Sequence, residues 1–149
     1  MASVAVVYGS ESDEGVMRPA IDTLAEFGID CETRVISAHR QPDATAEFAR
    51  TAASRGIRVI IAGAGLAAAL PGVVAAHTTL PVIGVPIGGG ALNGVDALYA
   101  IVQMPKGIPV ATVGISNSRN AALLAVEILA LSDPAVAEKL AAFRNKMNA

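Results

Sequence analysis

The feature that most constrains this chain is a long stretch without any charged side chain. From Val59 to Val95, 37 consecutive residues include no Asp, Glu, Lys or Arg. A helix that spans a membrane needs about 20 mostly uninterrupted apolar residues, but Pro71, Pro81, Pro86 and several glycines divide this stretch into short pieces. We therefore predict buried strands joined by loops and a short helix, and no membrane segment.

The composition limits the class of protein. With 149 residues, of which 53% are apolar and 16% charged, the chain is expected to fold as one domain. A formal charge of −2 and 3% aromatic residues offer neither a field nor a stacking surface for nucleic acid. One small domain cannot bury all of the uncharged stretch, so we expect part of it to lie against other subunits of a homo-oligomer.

The cysteine and histidine content indicates where the protein works. Cys31 is the only cysteine, so no disulfide can form within the chain. Together with the well-separated His39 and His77 it does not make a metal site. The first residues lack the basic start and apolar stretch of a signal peptide. We therefore expect a cytoplasmic protein without a metal ion.

Short runs of branched apolar residues alternate with longer helical stretches, a pattern typical of an α/β fold with a parallel sheet. The predicted strands, whose unbroken apolarity suits burial on both faces, are Val4–Tyr8, Cys31–Ile36, Arg58–Ala62, Pro81–Val85 and Ile108–Val113. The predicted helices are Asp13–Phe27, Pro42–Arg55, Ala67–Ala76, Gly94–Val102, Ser118–Leu131 and Pro134 to about Lys146. Right-handed crossovers then make a three-layer, doubly wound sheet that binds ligands beyond the carboxyl ends of its strands.

Single residues support several of the helix boundaries. Asp133 before a proline is typical of a helix N-cap, and Gly28 and Gly56 lie where left-handed C-caps would end helices. Pro19 should kink the first helix or make it begin late. His77 ends an apolar helix, where capping the last carbonyl groups is its expected role.

Two polar loops follow the first two predicted strands. In Gly9–Asp13, free amides and hydroxyls could hold a phosphate, or Ser12 or Asp13 could simply cap the next helix. In the following loop, the His39 imidazole could transfer a proton and Arg40 could hold a phosphate. A surface histidine beside a solvated arginine is the alternative for that pair.

Two glycine-rich loops follow the third and fourth predicted strands. They are Gly63–Gly65 and Gly88–Gly90. Glycine allows a close approach of the backbone to a ligand or the movement of a flap, although tight turns explain these residues equally well.

Taken in order, seven segments of the chain resemble one family, the N5-carboxyaminoimidazole ribonucleotide mutases of purine biosynthesis. They are GSESD (9–13), ISAHRQPD (36–43), VIIAGAG (59–65), LPGVVAA (70–76), TTLPVIGVP (78–86), ALNGVDALYAIVQMPKGIPVATVGI (91–115) and NAALLAVEILAL (120–131). The resemblance implies a flavodoxin-like fold, a homo-octamer, and transfer of a carboxylate from the exocyclic nitrogen to C4 of an aminoimidazole ribonucleotide. It implies no cofactor.

The resemblance also implies roles for particular residues. Ser10 and Arg40 would hold the 5′-phosphate and Asp13 the ribose hydroxyls. His39 would be the general acid and base: it would protonate the substrate, which then releases carbon dioxide, and would remove the C4 proton after C4 has recaptured the carbon dioxide. The other residues expected to contact the substrate are Ser12, Ser37 and Gly65.

Two positions depart from the family pattern. Ala69 stands where the family usually has a second active-site histidine, and Gly88–Gly90 replaces a usually polar flap. Two alternatives to the mutase therefore stay open: direct carboxylation by carbon dioxide, and a weakly active nucleotide-binding subunit.

Overall fold

The computed structural model describes residues 1–149. Five strands form one parallel sheet: β1 (Val4–Tyr8), β2 (Cys31–Val35), β3 (Val59–Ala64), β4 (Val82–Pro86) and β5 (Ala111–Thr112). Their order across the sheet is β2-β1-β3-β4-β5. The chain builds outwards from β1 to β2 and then returns past β1 to β3, which creates a topological switch point between β1 and β3. This order confirms the predicted flavodoxin-like α/β fold.

The three central strands are buried along their whole length. Every residue of β1, β3 and β4 is buried, as the unbroken apolar runs predict. Alternate residues of β1 face opposite sides, with Val4 and Val6 in one apolar cluster and Ala5 and Val7 in the other. The uncharged stretch thus supplies two of the three central strands.

The two edge strands differ from the prediction. Burial of β2 on both faces is wrong, because Thr33, Arg34 and Val35 at its carboxyl end are exposed at the edge of the sheet. The predicted strand Ile108–Val113 is reduced to the two residues of β5. Pro109 lacks an N–H group and cannot donate a hydrogen bond to β4. Pairing with β4 is therefore limited to Ala111 and Thr112, which follow this proline in the predicted strand.

The chain forms six helices: α1 (Glu14–Glu26), α2 (Pro42–Ala52), α3 (Leu70–Ala76), α4 (Val95–Val102), α5 (Ser118–Ala130) and α6 (Pro134–Met147). The buried residues of α1 and α5 share one apolar cluster with the sheet, and those of α2, α3 and α4 share the other. Helix α4 packs directly on β4, because a Cβ atom at Gly84 would collide with Ile101. The predicted three layers are therefore present.

The helix ends follow local chemistry. The Asp133 carboxylate accepts hydrogen bonds from the first backbone N–H groups of α6, and Gly28 and Gly56 have φ of +68° and +91°. Helix α1 continues through Pro19, which lies on its exposed side. Helix α3 begins three residues later than predicted, because Ala67 has a left-handed φ of +49°. No helix combines the length and the apolarity that crossing a bilayer requires.

Candidate active site

A cleft of about 470 Å³ lies beyond the carboxyl ends of β1, β2 and β3, at the switch point of the sheet. Three loops line it: Gly9, Ser10, Ser12 and Asp13 after β1; Ser37, Ala38, His39 and Arg40 after β2; and Ala64, Gly65, Leu66, Ala67, Ala69 and Leu70 at and after the end of β3. Every substrate-binding or catalytic residue predicted from the sequence therefore faces this one cleft, because parallel strands end at the same edge of the sheet.

The loop after β1 is organised by Ser10. Its Oγ accepts a hydrogen bond from the Ser12 N–H at 3.3 Å and lies 2.9 Å from the Ser12 Oγ. Its carbonyl oxygen accepts from the Asp13 N–H at 3.0 Å. Ser10 thus caps a short 3-10 turn formed by residues 11–13, whereas the side chains of Ser12 and Asp13 make no capping bond. The alternative that Ser12 or Asp13 serves only as a helix cap is wrong.

The Asp13 carboxylate is half-buried at the start of α1. Burial raises the pKa of this carboxyl group, and a backbone hydrogen bond at Ser10 lowers it by a smaller amount. A carboxylate that has lost part of its water gains from new hydrogen-bond donors. Asp13 can therefore accept hydrogen bonds from the hydroxyl groups of a ligand.

The loop after β2 places a cation beside the loop after β1. The Arg40 Nη2 donates to the carbonyl oxygen of Gly9 at 3.2 Å, and the Arg40 N–H donates to the Ser37 Oγ at 3.2 Å. The guanidinium group, although it belongs to an exposed residue, is thus bonded to the loop after β1. Because guanidinium carries five N–H donors, it keeps donors for an anionic ligand.

The His39 side chain is exposed at the tip of the same turn and makes no hydrogen bond. An imidazole can give and take a proton in one turnover. Its nitrogens are free to meet a ligand, so proton transfer to a molecule in the cleft is the chemistry that this residue can supply.

The side of the cleft after β3 carries no polar side chain. Gly65, Ala67 and Ala69 line it together with two leucines, and Ala69 lies immediately before the first residue of α3. A histidine at position 69 would therefore face the same cleft as His39.

The Gly88–Gly90 segment does not line the cleft, but it lies next to its edge. A Cβ atom at Gly90 would be 2.7 Å from the Cδ2 of Leu66, which is 71% exposed at the mouth. The Gly88 N–H donates to the Ser116 Oγ at 2.9 Å. The movement expected of this flap stays a prediction.

The other histidine lies outside this cleft. The His77 N–H donates to the Val74 carbonyl oxygen at 3.0 Å at the end of α3, and the side chain borders a separate cleft with Arg50. The backbone N–H of His77 thus caps α3, whereas its imidazole makes no hydrogen bond to the last carbonyl groups. His39 is left as the imidazole of the main cleft.

A family model described as AIR carboxylase matches residues 3–149, almost the whole chain. The chain belongs to the AIR carboxylase family. Among its relatives, the N5-carboxyaminoimidazole ribonucleotide mutase of Pyrococcus abyssi is 58% identical over 99% of this chain and 84% of that protein. The enzyme of the same name from Thermotoga maritima is 53% identical over 99% of this chain and 86% of that protein.

Two further comparisons involve a relative with a different name and a solved structure. The phosphoribosylaminoimidazole carboxylase of Schizosaccharomyces pombe is 55% identical over 97% of this chain, which spans 26% of that longer protein. The crystal structure of Treponema denticola PurE superposes with a TM-score of 0.89, at 28% identity over 99% of this chain and 92% of that chain. The AIR carboxylase fold is thus shared across members with low sequence identity.

Sequence reasoning missed one polar residue beside this cleft and most of the apolar lining of the cleft. Gln41 accepts a hydrogen bond from the Ser37 N–H at 3.2 Å through its Oε1, although its side chain lies outside the cleft. Leu66 and Leu70 follow a glycine in the third loop and carry no chemical signal. The position of Gln41 immediately before a helix-starting proline was the only available indication of a structural role.

Proposed function

We propose that this chain is an N5-carboxyaminoimidazole ribonucleotide mutase of purine biosynthesis. This isomerase moves a carboxylate from the exocyclic nitrogen to C4 of the imidazole. The observation that carries the proposal is the meeting of an imidazole, a guanidinium group and a carboxylate in one cleft of a chain that is 58% identical to a mutase. Because Cys31 is the only cysteine and is free, we also propose that the protein is located in the cytoplasm.

The polar loops are suited to holding a ribonucleotide. Arg40, attached to Gly9, offers its remaining donors to the 5′-phosphate, and the Ser10 hydroxyl adds a neutral hydrogen bond. The Asp13 carboxylate accepts from the ribose hydroxyls. The other residues that contact the substrate in this proposal are Ser12, Ser37 and Gly65.

His39 then carries the chemistry alone. The protonated imidazole gives its proton to the exocyclic nitrogen; the C–N bond breaks and its electron pair stays on nitrogen, releasing carbon dioxide. C4 attacks the carbon dioxide and forms the new C–C bond. The now neutral imidazole removes the C4 proton, which restores both the aromatic ring and the protonated His39. The steps balance without a cofactor.

The apolar side of the cleft has a part in this sequence of steps. Free carbon dioxide has to stay beside C4 until the ring attacks it. The side formed by Leu66, Ala69 and Leu70 offers no hydrogen bond to water, so it disfavours hydration of the intermediate.

The mutase is tested by supplying each possible substrate in turn. We expect the C4-carboxylated ribonucleotide to form from N5-carboxyaminoimidazole ribonucleotide without added bicarbonate. Formation only from aminoimidazole ribonucleotide with bicarbonate would identify a direct carboxylase and contradict the proposal. Nucleotide binding without either product would identify a binding subunit and contradict the proposal.

We also propose that the enzyme is a homo-oligomer. The expected state is the homo-octamer that the resemblance to the mutase family implies. Val95, Tyr99 and Val102 form a stripe on α4 and are exposed by 40%, 62% and 48%, and Leu92 beside them is exposed by 61%. Such an apolar stripe favours burial against another subunit. Light scattering at micromolar concentration should give a mass several times 15.0 kDa. A monodisperse monomer would contradict this proposal.

A further inference from the structure

The turn that carries His39 is closed by Gln41. The Ser37 N–H donates to the Gln41 Oε1 at 3.2 Å, and the Gln41 N–H donates to the Ser37 carbonyl oxygen at 2.8 Å. Both backbone polar groups of Ser37 are therefore bonded to the same residue. The three residues between them form a loop that is fixed at its two ends.

Gln41 is itself attached to the core of the protein. Its carbonyl oxygen accepts from the Thr45 N–H at 3.0 Å and from the Thr45 Oγ1 at 2.9 Å, and Thr45 is fully buried. Gln41 is the N-cap residue of α2, yet its side chain makes no capping bond to that helix. The side-chain amide instead reaches back to Ser37, so the buried first turn of α2 is connected to the catalytic turn.

His39 depends on this connection more than Arg40 does. The His39 side chain makes no hydrogen bond, so only the backbone of the turn determines its position. Arg40 has two further attachments, from its N–H to the Ser37 Oγ and from its Nη2 to the Gly9 carbonyl oxygen. A loosened turn would therefore displace the imidazole more than the guanidinium group.

We propose that Gln41 is a positioning residue for the mutase reaction, acting through the turn that holds His39. The proposal rests on the proposed function of His39. Without the amide oxygen the Ser37 N–H loses its partner, and the turn samples conformations in which the imidazole is out of reach of the substrate. Proton transfer is more sensitive to such displacement than phosphate binding, so kcat should fall while KM changes little.

Two variants at this position separate the hydrogen bond from the volume of the side chain. Gln41→Leu removes the acceptor, and we expect it to lower kcat about tenfold with KM within about threefold. Gln41→Glu keeps an oxygen at the same place, so we expect it to retain most of the activity. Asn145→Leu, the same amide-to-apolar change on the exposed face of α6, is the matched control and should leave kcat unchanged.

A second measurement reads the hydrogen bond without using activity. In Gln41→Leu, exchange of the Ser37 amide hydrogen should accelerate at least severalfold, while that of Ile61 in the central strand β3 stays slow. Gln41→Glu should restore the protection. Unchanged Ser37 exchange, or faster exchange with unchanged kcat, would overturn the positioning role. Absence of mutase activity in the unmodified chain would instead refute the proposed function, so the two failures can be told apart.

Discussion

The two sides of the active-site cleft follow neighbouring strands of one sheet, yet their chemistry is opposite. The loops after β1 and β2 supply a carboxylate, an imidazole, a guanidinium group and three hydroxyls. The loop after β3 supplies glycine, alanine and leucine. Both sides begin at buried parallel strands, so the fold sets their position and the loop residues set their chemistry.

The two sides also keep their shape by different means. Hydrogen bonds hold the polar side, including those between Ser10 and Ser12 and from Arg40 to Gly9. The apolar side depends on packing and on the left-handed backbone of Ala67, a conformation that costs about 1–2 kcal/mol. This division suggests that the polar side holds the nucleotide and transfers the proton while the apolar side keeps water away from the reacting carboxyl group.

The largest effect is expected where the polar side carries the chemistry. His39→Asn replaces the imidazole by an amide of similar size that cannot transfer a proton, so turnover should fall by about 10²- to 10⁴-fold. Nucleotide affinity, measured by calorimetry, should change by less than about 1 kcal/mol. His77→Asn, the same change at the end of α3 outside the cleft, should have no effect on turnover. More than a tenth of the original turnover in His39→Asn would remove His39 from the mechanism.

The contrast between the two sides also explains how much of the fold and site could be predicted. The central strands were predictable because burial on both faces requires an unbroken apolar run, whereas Pro109 shortened an edge strand that looked equally apolar. The polar residues were predictable because their types and the strand topology together place them. The roles of Gln41 and Leu66 were not predictable. The Gln41 side chain turns back to the Ser37 N–H, and Leu66 precedes Ala67, whose backbone is left-handed. Residue type specifies neither feature.

A polar group placed on the apolar side tests the comparison directly. Ala69→His introduces an imidazole at the start of α3, opposite the polar loops, where it could meet the substrate carboxylate or an intermediate. We expect mutase turnover to rise, by up to about 10²-fold, with nucleotide affinity within about 1 kcal/mol of the original. Ala69→Leu adds bulk without a proton and should give no gain.

The outcome of Ala69→His distinguishes two interpretations of the apolar side. A gain in turnover means that the enzyme works with His39 as its one proton-transferring group, although the site can accommodate a second imidazole. No gain counts against that interpretation and indicates that the site has been reshaped around an apolar surface.

A smaller effect is expected from Arg40 and Ser10, the residues that hold the phosphate in the proposed function. Arg40→Ala should weaken nucleotide binding by about 1.5–3 kcal/mol, and Ser10→Ala by about 0.5–1.5 kcal/mol, because a charged donor makes the stronger hydrogen bond. Arg50→Ala removes an exposed guanidinium group outside the cleft and is the matched control. If calorimetry finds the same nucleotide affinity in Arg40→Ala, the phosphate is not held by Arg40 in the loop after β2.

The smallest effect concerns the stability of the polar side itself. Burial raises the pKa of Asp13 in the folded protein above its unfolded value, so the folded state holds its proton to higher pH. The free energy of unfolding therefore decreases as the pH rises from below the unfolded pKa through the folded pKa. At pH 7 the folded state contains a partly desolvated carboxylate. A neutral amide of the same shape would avoid the cost of removing water from that charge.

Asp13→Asn should accordingly raise the free energy of unfolding at pH 7, and the gain should disappear below about pH 3, where the carboxyl is protonated in both states. The same substitution should weaken nucleotide binding by about 1 kcal/mol, because an amide accepts hydrogen bonds from ribose hydroxyls less strongly than a carboxylate. Urea unfolding at both pH values, with the exposed Asp22→Asn on α1 as control, measures the first effect. A loss of stability at pH 7 would mean that the hydrogen bond at Ser10 outweighs burial. In that case Asp13 would support the fold of its loop as well as the binding of the substrate, and the polar side would not sacrifice stability for function.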